Sequence, residues 1–214
     1  GLVAGGALHV LAIFDKPDSM EGPFFEETIY VTPSRLPEET QNKIIKAVRR
    51  AARAIGLKDG PVHAELRVNQ GGVWVLDVAS RTIGGKCSGA LEFGDGVALE
   101  DLILTKALGD EPPSIARSGA ASGVMMIPIP RRGILRHVDG MAAALAAPGV
   151  TGIDISIHIG GLVVPLPEGN RYLGFIFAKG ETPDEAEAAL RRAHAQLKFR
   201  LDPDEGAEPE GETV

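Results

Sequence analysis

The sequence predicts an α+β fold, mostly antiparallel strands flanked by helices. Three observations lead there. Short segments alternate apolar and polar residues and are joined by glycine- or asparagine-containing turns, as half-buried strands are. A few longer segments carry apolar stripes at helical spacing, with start and stop signals at their ends. The order of elements is not a strict β-α alternation: the second half reads β-β-α-β-β-β-α.

The first elements set the pattern. The chain does not open with methionine, and Gly1-Leu2-Val3-Ala4-Gly5-Gly6-Ala7-Leu8-His9-Val10 already reads as strand, glycine turn, strand. A fragment of a longer chain explains this opening best. The second strand is expected from Ala7 to Phe14. A polar loop runs from Asp15-Lys16-Pro17-Asp18 to Gly22-Pro23, and residues 24–33 read as strand. Between Ser34 and Gly56 lies a helix. Pro37 suits its first turn, and Glu38 and Glu39 suit the positive end of the helix dipole. Its stripe is Ile44, Ile45, Val48, Ala51, Ala52 and Ile55, and Gly56 closes it.

A hairpin follows. His63-Ala64-Glu65-Leu66-Arg67-Val68 and Val73-Trp74-Val75-Leu76-Asp77-Val78-Ala79-Ser80-Arg81 flank the turn residues Asn69-Gln70-Gly71-Gly72. A three-residue loop would set Glu65 opposite Asp77, and His63 opposite Ala79. Facing carboxylates repel unless a cation lies between them. Arg81 shares a face with Asp77, because residues two and four apart point the same way. Two acids and an arginine on one sheet face suit a magnesium–phosphate site. A solvated, salt-bridged surface would use the same residue types. His63 reads as a half-buried strand residue bonded to a neighbour.

The glycine-rich run Thr82-Ile83-Gly84-Gly85-Lys86-Cys87-Ser88-Gly89 lets backbone N–H groups approach an anion. Lys86 would be a second cation there or a solvated lysine, and Cys87 reads as a small buried thiol. A short helix spans Leu99 to Leu108, ended by Gly109, and residues 110–119 form a polar connector. Val124-Met125-Met126-Ile127-Pro128-Ile129-Pro130 reads as an edge strand because of its prolines. Arg131-Arg132-Gly133 turns into Ile134-Leu135-Arg136-His137. A short alanine-rich helix lies at about 139–147, and strands are expected at 150–159, 162–166 and 172–178. Thr182-Pro183-Asp184-Glu185 opens the last helix with a capping-box pattern, and its stripe runs to Leu197. Residues 203–214 are acidic and expected to be disordered.

Composition bounds the function. The 214 residues suffice for one large domain or two small ones, and 44% hydrophobic residues support a core. A net charge of −7 argues against non-specific nucleic-acid binding, though not against a nucleotide, which needs only a local positive site. The single cysteine allows no internal disulfide and fits a reducing, cytoplasmic setting. The apolar run at Met141–Ala147 is too short to span a membrane.

Gly60-Pro61-Val62-His63-Ala64-Glu65, followed by Val75-Leu76-Asp77-Val78-Ala79-Ser80-Arg81-Thr82-Ile83-Gly84-Gly85, resembles the C-terminal half of the ATP-grasp ligases. In that family one strand carries a metal-binding acid and the next carries Glu-x-Asn-x-Arg before glycines. The resemblance implies that Glu65 and Asp77 hold metal, and that Arg81, Gly84 and Gly85 meet phosphate or substrate. It makes Arg81 the catalytic cation, and Lys16, Glu26 and Glu27 contacts beside the nucleotide; exposed loop and edge-strand charge is the plainer account of those three. Asp77 is one methylene shorter than the usual Glu. Ala79 stands where Asn is usual and cannot bind a metal, which leaves the number of metals open.

The implied reaction uses ATP with magnesium (or manganese) to convert a carboxylate into an acyl phosphate that an amine attacks. The L-amino-acid or dipeptide ligase branch fits best, because an α+β portion follows. A biotin-carboxylase- or carbamoyl-phosphate-synthase-like enzyme and a non-catalytic binding fragment are the alternatives. The expected organisation is an ATP-grasp C-terminal subdomain at 1–109, an α+β subdomain at 120–202 and the tail. Expected partners are a small carboxylate, an amine and the N-terminal half of the same enzyme. A homodimer is compatible, and neither nucleic acid nor membrane is expected.

Overall fold

The computed structural model describes residues 1–18, 26–112 and 114–204. The chain opens with β1 (Leu2–Ala4) and β2 (Ala7–His9), an antiparallel hairpin. Gly5 and Gly6 turn it, both with positive φ (54° and 76°), which glycine adopts without penalty. β3 (Ile29–Thr32) is buried throughout. α1 (Glu38–Ala54) follows Pro37, which holds the N-cap position in an extended conformation. Its inward stripe is Ile44, Val48 and Ala52; Ile55, at 53% exposure, lies past the last turn and outside the core. Gly56 takes the left-handed conformation just after it (φ 76°).

Next come β4 (Gly60–Pro61), β5 (His63–Asn69) and β6 (Gly72–Ala79), then a 3-10 turn at Cys87–Ala90. A small hairpin of β7 (Glu92–Phe93) and β8 (Val97–Ala98) leads into α2 (Leu99–Ala107). Beyond the connector lie β9 (Ala121–Ile127), β10 (Gly133–Asp139), α3 (Met141–Leu145) and β11 (Val150–Ile155). The chain continues with β12 (Leu162–Val163), β13 (Gly174–Gly180), α4 (Pro183–Gln196) and β14 (Lys198–Asp202).

The α+β class is as the sequence predicts, with antiparallel pairing throughout. The central sheet has the order β11-β13-β9-β3. α4 packs on it through Ala186, Ala189, Leu190 and Ala193, all fully buried, against Val31, Ala121 and Ile176. β3 comes from before the 110–119 connector and β9 from after it, so one sheet joins the two stretches. Arg35 adds a polar tie. Its guanidinium reaches Asp15 at 3.0 Å, Asp184 at 2.7 Å and Glu187 at 2.9 Å. The α4 start is capped reciprocally. Thr182 Oγ1 accepts from the Glu185 N–H at 3.2 Å, and Glu185 Oε2 accepts from the Glu181 N–H at 2.8 Å.

Several expectations need correction. β9 is central, not an edge strand: Pro128 and Pro130 lie after its last paired residue, Ile127, and cost the ladder nothing. β14 was not anticipated. Phe199 and Leu201 alternate inward along it, and it pairs with β10. Residues 10–14 form no ladder, although an isolated bridge joins Asp15 to Val31. The expected strands at 150–159 and 162–166 stop at Ile155 and Val163. The expected tail from residue 205, Gly22-Pro23, and the start of the 24–33 strand lie outside the described residues. Among the described residues no helix is long and apolar enough to cross a membrane.

Candidate functional site

The β5–β6 hairpin is the scaffold. Asn69 pairs with Gly72, so the loop has two residues rather than the expected three. Asn69 Oδ1 braces it, accepting from the Gly71 N–H at 2.8 Å and Trp74 Nε1 at 3.2 Å. With no other irregularity this loop would have put Glu65 opposite Leu76. A bulge intervenes: Leu66 pairs with Val75 and Glu65 with Asp77, leaving Leu76 as the extra residue. The two carboxylates therefore face each other as expected, but through the bulge. His63 pairs with Ala79.

Packing fixes the face. Val62 and Val78 cluster with Val3 and with Ala52 of α1. Side chains alternate along a strand, so His63, Glu65, Asp77 and Ala79 point to the side away from α1.

Lys16 lies on that side. It ion-pairs with Glu27 and stands 3.4 Å from Glu65. Its ammonium also sits 5.0 Å above the Tyr30 ring. Tyr30 is buried and bonded to the Glu27 carboxylate, and burial followed by that carboxylate pushes its phenol well above the ordinary range. His63 Nε2 is 3.9 Å from Glu65, while its Nδ1 is buried with no partner among the described residues. Burial lowers the His63 pKa; Glu65 opposes this, and Arg81 and Lys16 add to it. Arg81 is thus close enough to be felt at His63. Its Nη1 donates to the Thr82 carbonyl at 2.9 Å, and the side chain is exposed, as is Asp77.

Lys16, Glu27, His63, Glu65, Asp77 and Arg81 share one neighbourhood. Glu26 stands toward Tyr172. Burial raises the Glu26 carboxyl, and burial together with Glu27 and Glu26 pushes the Tyr172 phenol up to about 12. The glycine loop turns back onto the central sheet. Gly85 has φ 60°, and a Cβ there would meet Met126 Sδ at 2.7 Å. Lys86 also adopts positive φ (53°), pairs with Asp154 of β11 and lies 5.2 Å over the Phe175 ring. It braces the loop rather than serving the acids. Cys87 is 1% exposed, and burial pushes its thiol up to about 12, so it is no nucleophile.

Sequence reasoning missed Tyr30. The signal was a tyrosine within an otherwise apolar strand, since a buried phenol needs a polar partner. Among the described residues no three His, Cys, Asp or Glu side chains are grouped to hold a metal ion. What the hairpin offers is a facing pair of carboxylates. That matches the habit of magnesium, which takes one or two carboxylates and leaves its other positions to phosphate and water.

The ATP-grasp domain family matches residues 2–90, and the L-amino acid ligase C-terminal domain 2 family matches residues 125–202. The crystal structure of L-amino acid ligase from Bacillus licheniformis aligns with TM-score 0.79 and 30% identity, over 94% of this chain and 50% of that one. This chain thus spans about half the length of that ligase. Alanine–anticapsin ligase from Bacillus subtilis (strain 168) is 35% identical over 68 residues, 32% of this chain and 14% of that protein. The biotin carboxylase domain of Hydrogenobacter thermophilus 2-oxoglutarate carboxylase, solved with MgADP, aligns with TM-score 0.64 over 94% of this chain and 45% of its own. At 15% identity that is a likeness of fold alone. One family matches the half with the hairpin and the other the half that carries the central sheet and α4, so the chain combines an ATP-grasp domain region with an L-amino acid ligase C-terminal domain region.

Proposed function

We propose that this chain is the metal- and phosphate-bearing part of an ATP-dependent carboxylate–amine ligase of the amino-acid or peptide type. The reaction would pass through an acyl phosphate. The observation that carries the reading is the register of Glu65 against Asp77, with Lys16 and Arg81 beside them. In this reading Glu65 and Asp77 hold magnesium or manganese. The bound cation offsets the charge that builds on the phosphates during transfer. Arg81 offers a planar fork of donors to a phosphate or carboxylate and stabilises charge as it develops. The backbone of Gly84 and Gly85 lies next to it along the chain, where N–H groups can approach the same anion. Lys16 balances Glu27 and Glu65 when no dication is present. His63, held neutral by burial, supports Glu65 from the neighbouring position on the strand.

The adenine pocket, the lid and much of the substrate site belong, in this reading, to a preceding half of the same enzyme. The 214-residue chain alone then has no ligase turnover, since ATP is not oriented and water is not excluded. The test uses the enzyme with that half. Glu65→Gln, Asp77→Asn and Arg81→Lys should each keep the fold and lower amino-acid-dependent phosphate release from ATP by roughly 100-fold or more. Arg81→Lys is severe because an ammonium cannot reproduce a bidentate fork. His63→Ala should cost less than any of the three. Unchanged turnover in Glu65→Gln and Arg81→Lys at saturating magnesium would refute the reading.

A further inference from the structure

A cavity of about 320 Å³ lies at the end of the central sheet, where β9 begins and β13 ends. It shares no lining residue with the face that carries Glu65 and Asp77. Ala121 packs in the cluster with α4, so Ser122 and its partner Lys179 point to the opposite face. There Ser122 Oγ donates to the Ala90 carbonyl at 2.5 Å. Ala90 and Ser122 are buried and carry no large side chain, which leaves the space open. Residues 116–118 form the opposing wall and run beside β7. The Gly94 N–H donates to the Ala116 carbonyl at 3.0 Å, the Ser118 N–H to the Glu92 carbonyl at 2.7 Å, and a bridge joins Arg117 to Phe93. Phe93 is fully buried, so this wall is anchored although it belongs to the connector. Gly119, at φ 77°, then turns the chain into β9.

The charges around the cavity are unevenly matched. Lys179 and Glu92 answer each other, 2.9 Å apart. Arg117 and Glu181 do not. Arg117 Nη2 donates to the Ala120 carbonyl at 2.6 Å, and among the described residues no ion pair joins its guanidinium to a carboxylate. Burial lowers the Arg117 pKa, and no acid opposes it. A cation that loses water without gaining a counter-ion is costly unless another source supplies the negative charge. Glu181 donates its backbone N–H to Glu185, and among the described residues its carboxylate makes no ion pair either. One positive and one negative group therefore line the same cavity without closing on each other. Ser118 Oγ, next to Arg117 along the chain, is enclosed and has no hydrogen-bond partner among the described residues.

We propose that this cavity binds a small zwitterion of the free amino-acid type, its carboxylate on Arg117 and its ammonium toward Glu181. A simple anion would satisfy Arg117 but meet the repulsion of Glu181. A simple cation would meet the reverse. A ligand that carries both charges uses both groups. The guanidinium fork matches a carboxylate in a bidentate way. The volume stands at the lower end of ligand pockets, about 300 Å³ and upward, which suits a small molecule. Occupancy would tie the connector wall to the end of β13. The proposal goes beyond the ligase reading, since no residue assigned to metal or phosphate takes part.

Titration of glycine into the isotope-labelled 214-residue chain, followed by NMR, is the test. The amides of Ser118, Gly119, Gly180 and Glu181 should shift saturably. Arg117→Gln and Glu181→Gln should each weaken the affinity by roughly tenfold or more, the size expected for one charge-assisted hydrogen bond. Acetate and methylamine, each carrying one of glycine's two charges, should bind roughly tenfold or more weakly than glycine. Glu181→Gln leaves the contact of Arg117 with Ala120 in place, so it decides the matter if Arg117→Gln disturbs the wall. No saturable shift at those amides in the folded chain, an unchanged affinity in Glu181→Gln, or acetate binding as tightly as glycine would overturn the proposal. The same shifts should appear in Glu65→Gln. The ligase reading therefore stands or falls separately, by turnover of the Glu65 and Arg81 variants.

Discussion

In the 214-residue chain taken by itself, neutralising the Gly1 amine should stabilise the fold, and by an amount that depends on pH. The amine is desolvated against Val62 and falls from its ordinary 8.0 to about 6. A displacement of that size corresponds to roughly 2–3 kcal/mol. The sign follows from linkage. Between the two values the unfolded chain binds a proton that the folded chain refuses, so stability rises with pH across that window. Stability from this group is full above pH 8 and lost as pH falls to about 6. Acetylation of the amine removes the charge but keeps an N–H for Val62. Urea unfolding of the free and acetylated chains at about pH 5.5 and pH 8.5 reads the difference. The acetylated form should lack the 2–3 kcal/mol slope and gain roughly 5–10 °C in Tm at the lower pH. Histidine contributions are common to both forms and cancel. Equal slopes in the two forms would show that the amine is solvated.

Three further outcomes are expected. Gly85→Ala should destabilise by about 1–3 kcal/mol, since its φ is 60° and the added Cβ meets the buried Met126 sulfur at 2.7 Å; a urea midpoint within error of the parent would contradict this. His63 and His194 are both held neutral by burial, so stability should fall as pH drops below about 6.5, and His194→Gln should flatten that fall in acid titrations followed by circular dichroism. In the enzyme with its preceding half, Asp77→Glu should keep magnesium affinity within about tenfold, because the carboxylate still faces Glu65; a larger loss in a magnesium titration would mean the shorter side chain sets the site's dimensions.

Local signals made much of the fold legible. The opening hairpin, α1 and α4 each follow from caps, glycines and apolar spacing within a few residues. What was lost depends on contacts far along the chain. β9 was misplaced at an edge because prolines were weighed as if inside the strand, whereas its centrality is decided by β3, more than ninety residues earlier in sequence. β14 was hidden because Leu197 fits the stripe of α4, and only β10 makes the next five residues a strand. The site shows the same division. Glu65 and Asp77 were readable from alternation, but the bulge at Leu76 was not, and the expected pairing survived because two one-residue departures cancelled. Lys86 read either as a second cation or as a solvated lysine, and only Asp154, on a strand of the central sheet, supplies its partner.

Charge arrangement explains how three carboxylates share one neighbourhood. Glu65 and Asp77 would repel across the hairpin, and Glu27 lies close to Glu65 through their shared partner Lys16. Lys16 sits between the first two, close enough to serve both, and Arg81 is felt at His63 behind them. These ion pairs are partly solvated, with side-chain exposures of 25% to 29%, so they contribute little to stability, on the order of 1 kcal/mol or less. Their weakness suits the binding role proposed for this face. A tightly buried lysine–glutamate pair would cost several kcal/mol to open, and a dication would have to overcome that before reaching Glu65. A half-exposed pair on a bulged hairpin leaves the carboxylates accessible. The bulge does the positioning, Lys16 does the balancing, and neither would be recognisable from the acids alone.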